Sequence, residues 1–582
     1  MSLPTFAVLG AAPPPDTLPG KVVQTWLIRF NNALSQQDIP AITSLFLDDG
    51  WWRDLLSLTW DFRTFQGHDR ITEFLQDRLR LSQVSNFDLY DAHAHPPALI
   101  APYPDLGWVQ ALLRFDTGVG KGWAVVRLVY LPEQEWRIFT LQTVLDSLSG
   151  AELDIDFNYP EPQDTATAEK AAELVRQADP TVLIIGAGQS GLGLAARLKL
   201  LGVSSLLVEK TARVGDQWRN VRYASLRVHD PIDQLPLFSM PEPPLWPVFT
   251  PGNKIGDWFE AYAKLLDLNV CTSSTVRDPK YDPLAKEWMI TIINLDGGFL
   301  TVKAKYVVWA TGLAGGHPVM PDYEGMDNFK GPILHATQTR HPSEFKGKKV
   351  VVIGSGVTGH DICRDLSLDG VDVTMIQRGS TYVMSVKNAI PIQWKDLYWK
   401  GSPPTEVADL LYYSFPHFVA MTLAVRFTTK VAEMDQEMLE GLERVGFRTN
   451  MGIEGTGLYR LALERFGGSY INVGASEMII DGRIKLKNDS PIHSFVADGV
   501  KFADGSFLPA DAVICATGYG HMHTSIEETF GKDVRGALKE KFWDFDTEGE
   551  INGIWRNSGH ERFFVAYGEI GACRDSDFRG MS

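Results

Sequence analysis

Residues 182–194 read VLIIGAGQSGLGL, and residues 350–362 read VVVIGSGVTGHDI. Each is an apolar run closed by three glycines at one spacing: Gly186, Gly188 and Gly191, then Gly354, Gly356 and Gly359. An apolar run that passes through Gly-x-Gly-x-x-Gly into a helical pattern is the turn that cradles a dinucleotide pyrophosphate. The first glycine permits the tight turn, the second lets backbone approach the phosphates, and the third lets helix and strand pack closely. The helix N-terminus offers unpaired N–H groups to the anion. Gln189 and Ser190 belong to the first cradle, and Ser355, Val357 and Thr358 to the second. Two such loops make the chain α/β, with two Rossmann-like dinucleotide-binding domains.

The two loops lead into strands with different ends. After the first, the strand-like SSLLVE ends in Glu209, with Lys210 next. An acid about 20 residues beyond the loop accepts hydrogen bonds from a ribose hydroxyl. After the second, VDVTMIQ ends in Gln377 and Arg378. A carboxylate there would repel a 2′-phosphate, whereas a guanidinium pairs with it through two N–H groups. The Glu209 loop therefore suits a ribose without phosphate, as in FAD, and the Arg378 loop suits NADPH. The plainer readings are a ligand-free glycine turn and a solvated surface arginine. Two further segments, YVVWATG ending in Ala310, Thr311 and Gly312, and DAVICATGYG containing Ala516, Thr517 and Gly518, each run from strand into Ala-Thr-Gly. Each lies downstream of its own glycine loop, as crossings between two nucleotide domains would.

The 582 residues suggest three or four domains, and 44% hydrophobic with 22% charged residues is an ordinary globular composition. With 55 basic and 72 acidic residues the net charge is −17, which makes nucleic acid an unsuitable partner. No apolar run approaches the ~18–20 residues of a membrane span, and the N-terminus lacks the basic region of a signal peptide. Four scattered cysteines, with no Cys-x-x-Cys, argue against a disulfide framework and against a zinc site. A cytoplasmic protein without a metal is the expectation.

The organisation reads as a disordered N-terminus over residues 1–18, a first unit over 19–150, an acidic linker with one short helix over 151–180, and α/β texture beyond. The first unit has an amphipathic helix (Val22, Trp26, Leu27, Phe30, Leu34) and a shorter one near Ile39–Phe46. Strand-like runs around a helical DRITEFLQDRL come next, predicting a curved antiparallel sheet. A FAD-binding domain is expected over 181–345 and 496–582, and an NADPH-binding domain over 346–495. A helical, aromatic insertion over 395–450 reads as an active-site lid, as packing, or as an oligomer face.

A family resemblance is carried by particular residues. Gly215-Asp216-Gln217-Trp218-Arg219 resembles the flavin-contacting Gly-x-x-Trp segment of class B flavoprotein monooxygenases. FKGPILHATQT (329–339) matches their fingerprint at Phe329, Gly331 and His335, with Thr339 where an aromatic is usual. YASLRVHDP (223–231) resembles the segment lining the flavin's reactive face. The resemblance spans about 181–570 and rests on motif order. It implies an enzyme with FAD and NADPH that takes O2 through a C4a-(hydro)peroxyflavin and passes one oxygen to a small lipophilic substrate. It also implies Val276 and Gly568 as further cofactor contacts and His229 as a catalytic residue, orienting the peroxide or holding NADP⁺. The family's closing helix is not evident after RFFVAYGEIGACRDSDF, which puts the contacts near Gly568 and Glu569 in question.

Three branches share this framework: heteroatom (N or S) oxygenation, Baeyer–Villiger insertion, and decarboxylating oxygenation of indole-pyruvate-like acids. Baeyer–Villiger members place an acid near His229's position and an arginine after a later Gly-Thr, whereas here Gly455-Thr456 leads into Gly457-Leu458-Tyr459. Heteroatom oxygenation is favoured. LRVHDPIDQLPLF also looks like the decarboxylating branch. An NADPH oxidase releasing peroxide, and a non-enzymatic flavin-bound scaffold acting through the first unit, are the rivals; a disulfide reductase lacks its cysteine pair. Residues 19–150 resemble the NTF2/SnoaL-like cone fold, a superfold that carries little functional weight. Trp51, Trp52, Trp60 and Phe62 read as filling the cone or a homodimer contact, and Asp61 and His68 as weaker polar candidates.

Overall fold

A computed structural model describes residues 2–90, 95–150, 179–231, 240, 246–313, 316–399, 401–571 and 573. The acidic linker, with its expected short helix, falls almost wholly outside the described residues.

The helix Pro19–Ser35 opens with proline in its first turn and buries Val23, Trp26, Leu27, Phe30 and Leu34, a 3.6-residue stripe. It lies on a seven-stranded sheet whose order is Phe62–Gln66, Phe46–Leu55, Trp136–Leu148, Gly120–Tyr130, Leu106–Asp116, Ser85–Leu89, with Ala98–Tyr103 also on Leu106–Asp116. The expected antiparallel sheet is corrected at one place: Phe46–Leu55 runs parallel to Trp136–Leu148. Trp52, Phe65, Phe74, Phe87 and Phe115 fill its concave side. Trp51 faces the other way and Trp60 is exposed, so only part of the aromatic set fills the interior. The N-terminus expected to be disordered is instead partly anchored, with a helix Phe6–Leu9, Leu3 buried, and the Phe6 N–H donating to the Asp105 carbonyl at 2.9 Å.

The two glycine loops stand in two sheets of one design. In the first, Val270–Cys271, Ser205–Val208, Val182–Ile185, Tyr306–Trp309 and Phe563–Val565 are adjacent and parallel. In the second, Ile333–His335, Ala512–Cys515, Lys349–Ile353, Asp372–Ile376 and Lys485–Lys487 are adjacent and parallel. In each, the loop strand is flanked by the next strand of its own unit and by the strand leading into Ala-Thr-Gly. A three-stranded antiparallel meander, 274–304 in one and 492–509 in the other, precedes that last strand. This repetition moves the domain boundaries. Ile333–His335 and Ala512–Cys515, assigned by sequence to the FAD-binding unit, belong to the second sheet, and the return to the first comes only at 522–573. Among the described residues no helix is long and apolar enough to cross a membrane, and no group of acidic, His or Cys side chains is arranged to hold a metal.

Candidate active site

In the first loop, Gly186 has φ +109°, and a Cβ there would lie 2.5 Å from the Ala310 carbonyl oxygen. A Cβ on Gly191 would lie 2.1 Å from the Gly186 oxygen, so the helix Gln189–Leu200 meets its strand through glycine alone. Gly188 is different: nothing lies within 4 Å of a Cβ built on it. Its surface faces open space at a helix N-terminus, the place for an anion. Glu209 reaches back under the loop, its Oε2 accepting from the Ala187 N–H at 3.0 Å and its Oε1 from Thr211. Thr311, at the crossing beside Ala310 and Gly312, has a buried hydroxyl with no partner among the described residues. An open cradle, a fixed acid and an orphaned hydroxyl fit a dinucleotide of the FAD type. Lys210 points to solvent, and the Val276 side chain lies in the core.

The second loop repeats this geometry. Gly354 has φ +122° with the Ala516 oxygen 2.5 Å from its virtual Cβ, and a Cβ on Gly359 would lie 2.1 Å from the Gly354 oxygen. Gly356 faces only the Ser469 oxygen, at 3.9 Å. Ser355 hydrogen-bonds Thr381 at 2.9 Å, and Val357 and Thr358 open the helix Val357–Leu368. At the strand end, Arg378 is exposed, and its guanidinium has no partner among the described residues. Gln377 is otherwise. Its amide exchanges two hydrogen bonds with the Arg448 backbone, at 2.8 and 2.9 Å, so it ties two segments together. Arg448, not identified from sequence, donates to the Arg378 carbonyl at 2.9 Å and brings a second cation there.

The two crossings lie side by side. The Val319 N–H donates to the Gly518 carbonyl at 3.0 Å, Pro318 bridges Tyr519, and Thr517 donates to the Val319 carbonyl. His335 of the fingerprint closes this junction: its Nε2 donates to the Gly518 carbonyl at 3.1 Å while its Nδ1 accepts from Thr337 at 2.9 Å. Burial holds this imidazole below its usual pKa, in keeping with one donor and one acceptor nitrogen. The unusual Thr339 leaves its hydroxyl buried without a partner.

Gly215 has φ +84° and touches Gly256; a Cβ would sit 2.2 Å from the Gly256 oxygen. Asp216 is buried and accepts from Arg213, Arg219 and Asn220, each at 3.1 Å. Arg219 is also held by Asp257, Glu260 and the carbonyls of Val214 and Gly256. With every donor engaged, Arg219 fastens the loop to the helix Gly252–Leu265. Gln217 and Trp218 beside it are half-buried. Arg222, passed over in the sequence, lies 5.6 Å from the Trp218 ring with a buried Nε that has no partner. His229 is pushed below its usual pKa by burial, so at pH 7 it is a neutral hydrogen-bonding group.

The C-terminal turn reaches the first loop. Gln189 donates to the Gly568 carbonyl at 2.9 Å, and Ser190 Oγ lies 3.1 Å from Cys573 Sγ. A helical turn comes next, in which the Cys573 N–H donates to the Glu569 carbonyl at 2.8 Å. Glu569 accepts from the Tyr413 hydroxyl at 2.7 Å, bringing the insertion to the same place. Asp61 is paired with Arg556, and His68 Nε2 lies 3.1 Å from the Phe46 carbonyl oxygen, so the structure gives both structural contacts.

A family model described as pyridine nucleotide-disulphide oxidoreductase matches residues 183–393. No disulfide joins Cys271, Cys363, Cys515 and Cys573, so the match concerns the nucleotide-binding architecture rather than dithiol chemistry. Probable indole-3-pyruvate monooxygenase YUCCA3 of Arabidopsis thaliana is 28% identical over 343 residues, 58% of this chain and 72% of the relative. Indole-3-pyruvate monooxygenase YUCCA8 of Oryza sativa subsp. indica is 29% identical over 58% of this chain and 75% of its own. In fold, a cyclohexanone monooxygenase variant from Rhodococcus sp. Phi1 bound to NADP⁺ matches with a TM-score of 0.51 at 16% identity, over 69% of this chain and 84% of its own. In its motif order and duplicated sheets the chain is similar to flavin monooxygenases, and its sequence likeness to the indole-3-pyruvate monooxygenases extends over 58% of its length.

Proposed function

We propose that this chain oxygenates a small lipophilic nitrogen or sulfur nucleophile at the expense of NADPH and O2. FAD, when bound, supplies the O2 activation; the chain's own residues bind, orient and exclude water. On this reading the Gly186–Gly191 loop and Glu209 hold FAD. The Gly354–Gly359 loop holds NADPH, with Arg378 and Arg448 for its 2′-phosphate. His335 fixes the junction between the domains, and neutral His229 offers a hydrogen bond at the reactive face.

The observation that carries the choice of branch is Tyr459. Where a Baeyer–Villiger arginine would come after Gly-Thr, the chain has Tyr459, whose hydroxyl is bonded to His417 Nδ1 at 2.7 Å, and the next residue, Arg460, is paired with Glu454 and Glu464. A second reading, decarboxylating oxygenation of a 2-oxo acid, is favoured by Arg222, which has no carboxylate partner among the described residues, and by the printed activity of the plant relatives.

The test is NADPH oxidation under air with amines, sulfides, ketones and 2-oxo acids, reading oxygenated product, CO2 and peroxide together. Amine or sulfide oxide formed in step with NADPH supports the first reading. CO2 release from 2-oxo acids supports the second. Peroxide in full yield with every compound would refute both.

A further inference from the structure

The outer face of the N-terminal sheet carries a polar stripe where strand alternation predicts solvent. Cross-strand register aligns Gln110 with Arg127, Arg127 with Thr140, and Gln142 with Arg53. Arg53, Arg127, Thr140 and Gln142 are all buried. They meet the segment 411–415, where the helix Thr405–Tyr412 ends.

The last carbonyls of a helix lack partners and carry its negative dipole end. Here three side chains from three strands take them. Arg53 and Gln142 donate to the Tyr413 carbonyl, Gln142 at 3.2 Å. Arg127 donates to Ser414 Oγ at 2.7 Å and to the Leu411 carbonyl at 3.4 Å, with its guanidinium 3.5 Å from the centre of the Phe415 ring. No carboxylate pairs with Arg127 among the described residues. Burial pulls its pKa down to about 9, leaving it charged at neutral pH, and the helix end and aromatic face offset that charge. Arg53 is balanced by Glu550 in a forked pair at 2.6 and 2.8 Å.

We propose that Tyr413 is a positioning residue through which the N-terminal domain holds the Gly568–Glu569 turn against the first dinucleotide loop. The backbone of Tyr413 is gripped by the N-terminal sheet while its hydroxyl holds Glu569 at 2.7 Å, one residue beyond the carbonyl that accepts from Gln189. Burial keeps the phenol protonated and therefore a donor. The N-terminal domain then acts as a fixed wall of the flavin side, which rests on the proposed reading of the first loop as the FAD site.

The experiment uses the full chain with Tyr413→Phe, which keeps the ring, and Arg53→Lys, which keeps a cation against Glu550 but loses the Nη1 contact to the Tyr413 carbonyl. The first readout is hydrogen–deuterium exchange without cofactor, which does not depend on FAD. Tyr413→Phe should speed exchange of the amides at 566–571 selectively, and Arg53→Lys should speed 411–415 and 566–571 together. The second readout is FAD affinity and the visible spectrum of the bound flavin. Tyr413→Phe should raise the FAD Kd about tenfold and shift the spectrum, with NADPH affinity unchanged. Wild-type exchange at 566–571 in Tyr413→Phe, or a rise spread evenly over the chain, would overturn the proposal. Selective exchange in a chain that binds no FAD would uphold the clamp and refute the cofactor reading instead.

Discussion

At the end of the strand Asp372–Ile376, two neighbouring residues have opposite fates. Gln377 faces inward and is tied to the Arg448 backbone; Arg378 faces outward with its guanidinium free among the described residues. A charge with no partner of its own is the group available to a 2′-phosphate. Arg378→Ala should therefore raise the KM for NADPH at least tenfold, the worth of one forked charged contact, while changing that for NADH little. Steady-state kinetics with both nucleotides decides it, and equal losses would remove Arg378 from the phosphate site. The sequence placed this arginine by counting from the glycines, because strand and helix lengths are local properties. Counting could not show that Gln377 and Arg219 were already engaged. Their partners lie 71 residues away at Arg448 and 38 away at Asp257, and only the fold brings them together. Arg222 was missed for the converse reason: the absence of a partner leaves no pattern in a sequence.

The three glycines of each loop do separable work, and substitution should separate it. Gly191→Ala puts a methyl 2.1 Å from the Gly186 carbonyl oxygen, a backbone atom that cannot yield without moving the helix from its strand. It should cost about 1–3 kcal/mol of stability even without cofactor. Gly188 has φ −87° and free space around its virtual Cβ, so Gly188→Ala should fold with nearly wild-type stability yet lose FAD, because the methyl fills the cradle. Thermal unfolding of the apoprotein and flavin content after reconstitution give the two readings. A stable Gly191→Ala protein, or a flavin-replete Gly188→Ala protein, would contradict the assignment. These loops and their strands were legible because glycine spacing and apolar runs are short-range signals. The sheet to which a strand belongs was not: YVVWATG and DAVICATG look alike, and only pairing across roughly 160 residues, from Lys349–Ile353 to Ala512–Cys515, sends the second into the NADPH-side sheet.

Across the whole molecule, the N-terminal domain and the flavoprotein part interlock by charge. Arg63 and Arg70 reach Glu548, Arg53 and Thr64 reach Glu550, and Arg556 returns to Asp61. The acids that meet Arg53 and Arg63 lie 497 and 485 residues on, beyond any local pattern in the sequence. Arg53 is 8% exposed in its side chain and Glu550 1%. Burial alone would raise the Glu550 pKa, but the charge and hydrogen bonds of Arg53, with His417 and Thr64, hold it at about 2. Arg53→Met should cost roughly 3–5 kcal/mol because it strands a buried carboxylate, and adding Glu550→Gln should restore most of that. Additive losses in denaturant unfolding would show that the two do not act as a pair.

Acid should loosen the molecule through its buried histidines. His95, His229, His335, His360, His417, His523 and His560 are all held below the ordinary histidine pKa of 6.5, with burial the leading cause. His360, stacked 3.9 Å from Tyr470, and His417, wedged beside Arg53, fall to about 4. An unfolded chain takes up protons at these sites once the pH drops below 6.5, whereas the folded chain resists until about 4. Their stabilisation is thus complete above 6.5 and declines through that window as pH falls, by about 1.4 kcal/mol per pH unit for each fully shifted histidine. Asp361 works in the opposite sense. Burial raises it to about 6 despite the Tyr223 hydroxyl, so its favourable contribution is full below 3.8 and fades as pH rises towards 6. Glu550 enters only below 4.5. The seven lowered histidines, two of them strongly displaced, outweigh Asp361, Asp54 and Asp365, all raised by burial, so the denaturant midpoint should fall from pH 6.5 to 4.5. His360→Phe, which keeps a ring against Tyr470, should flatten that slope by about the share of one histidine. A midpoint that holds steady or climbs over this range would mean that the buried imidazoles admit protons and water in the folded state.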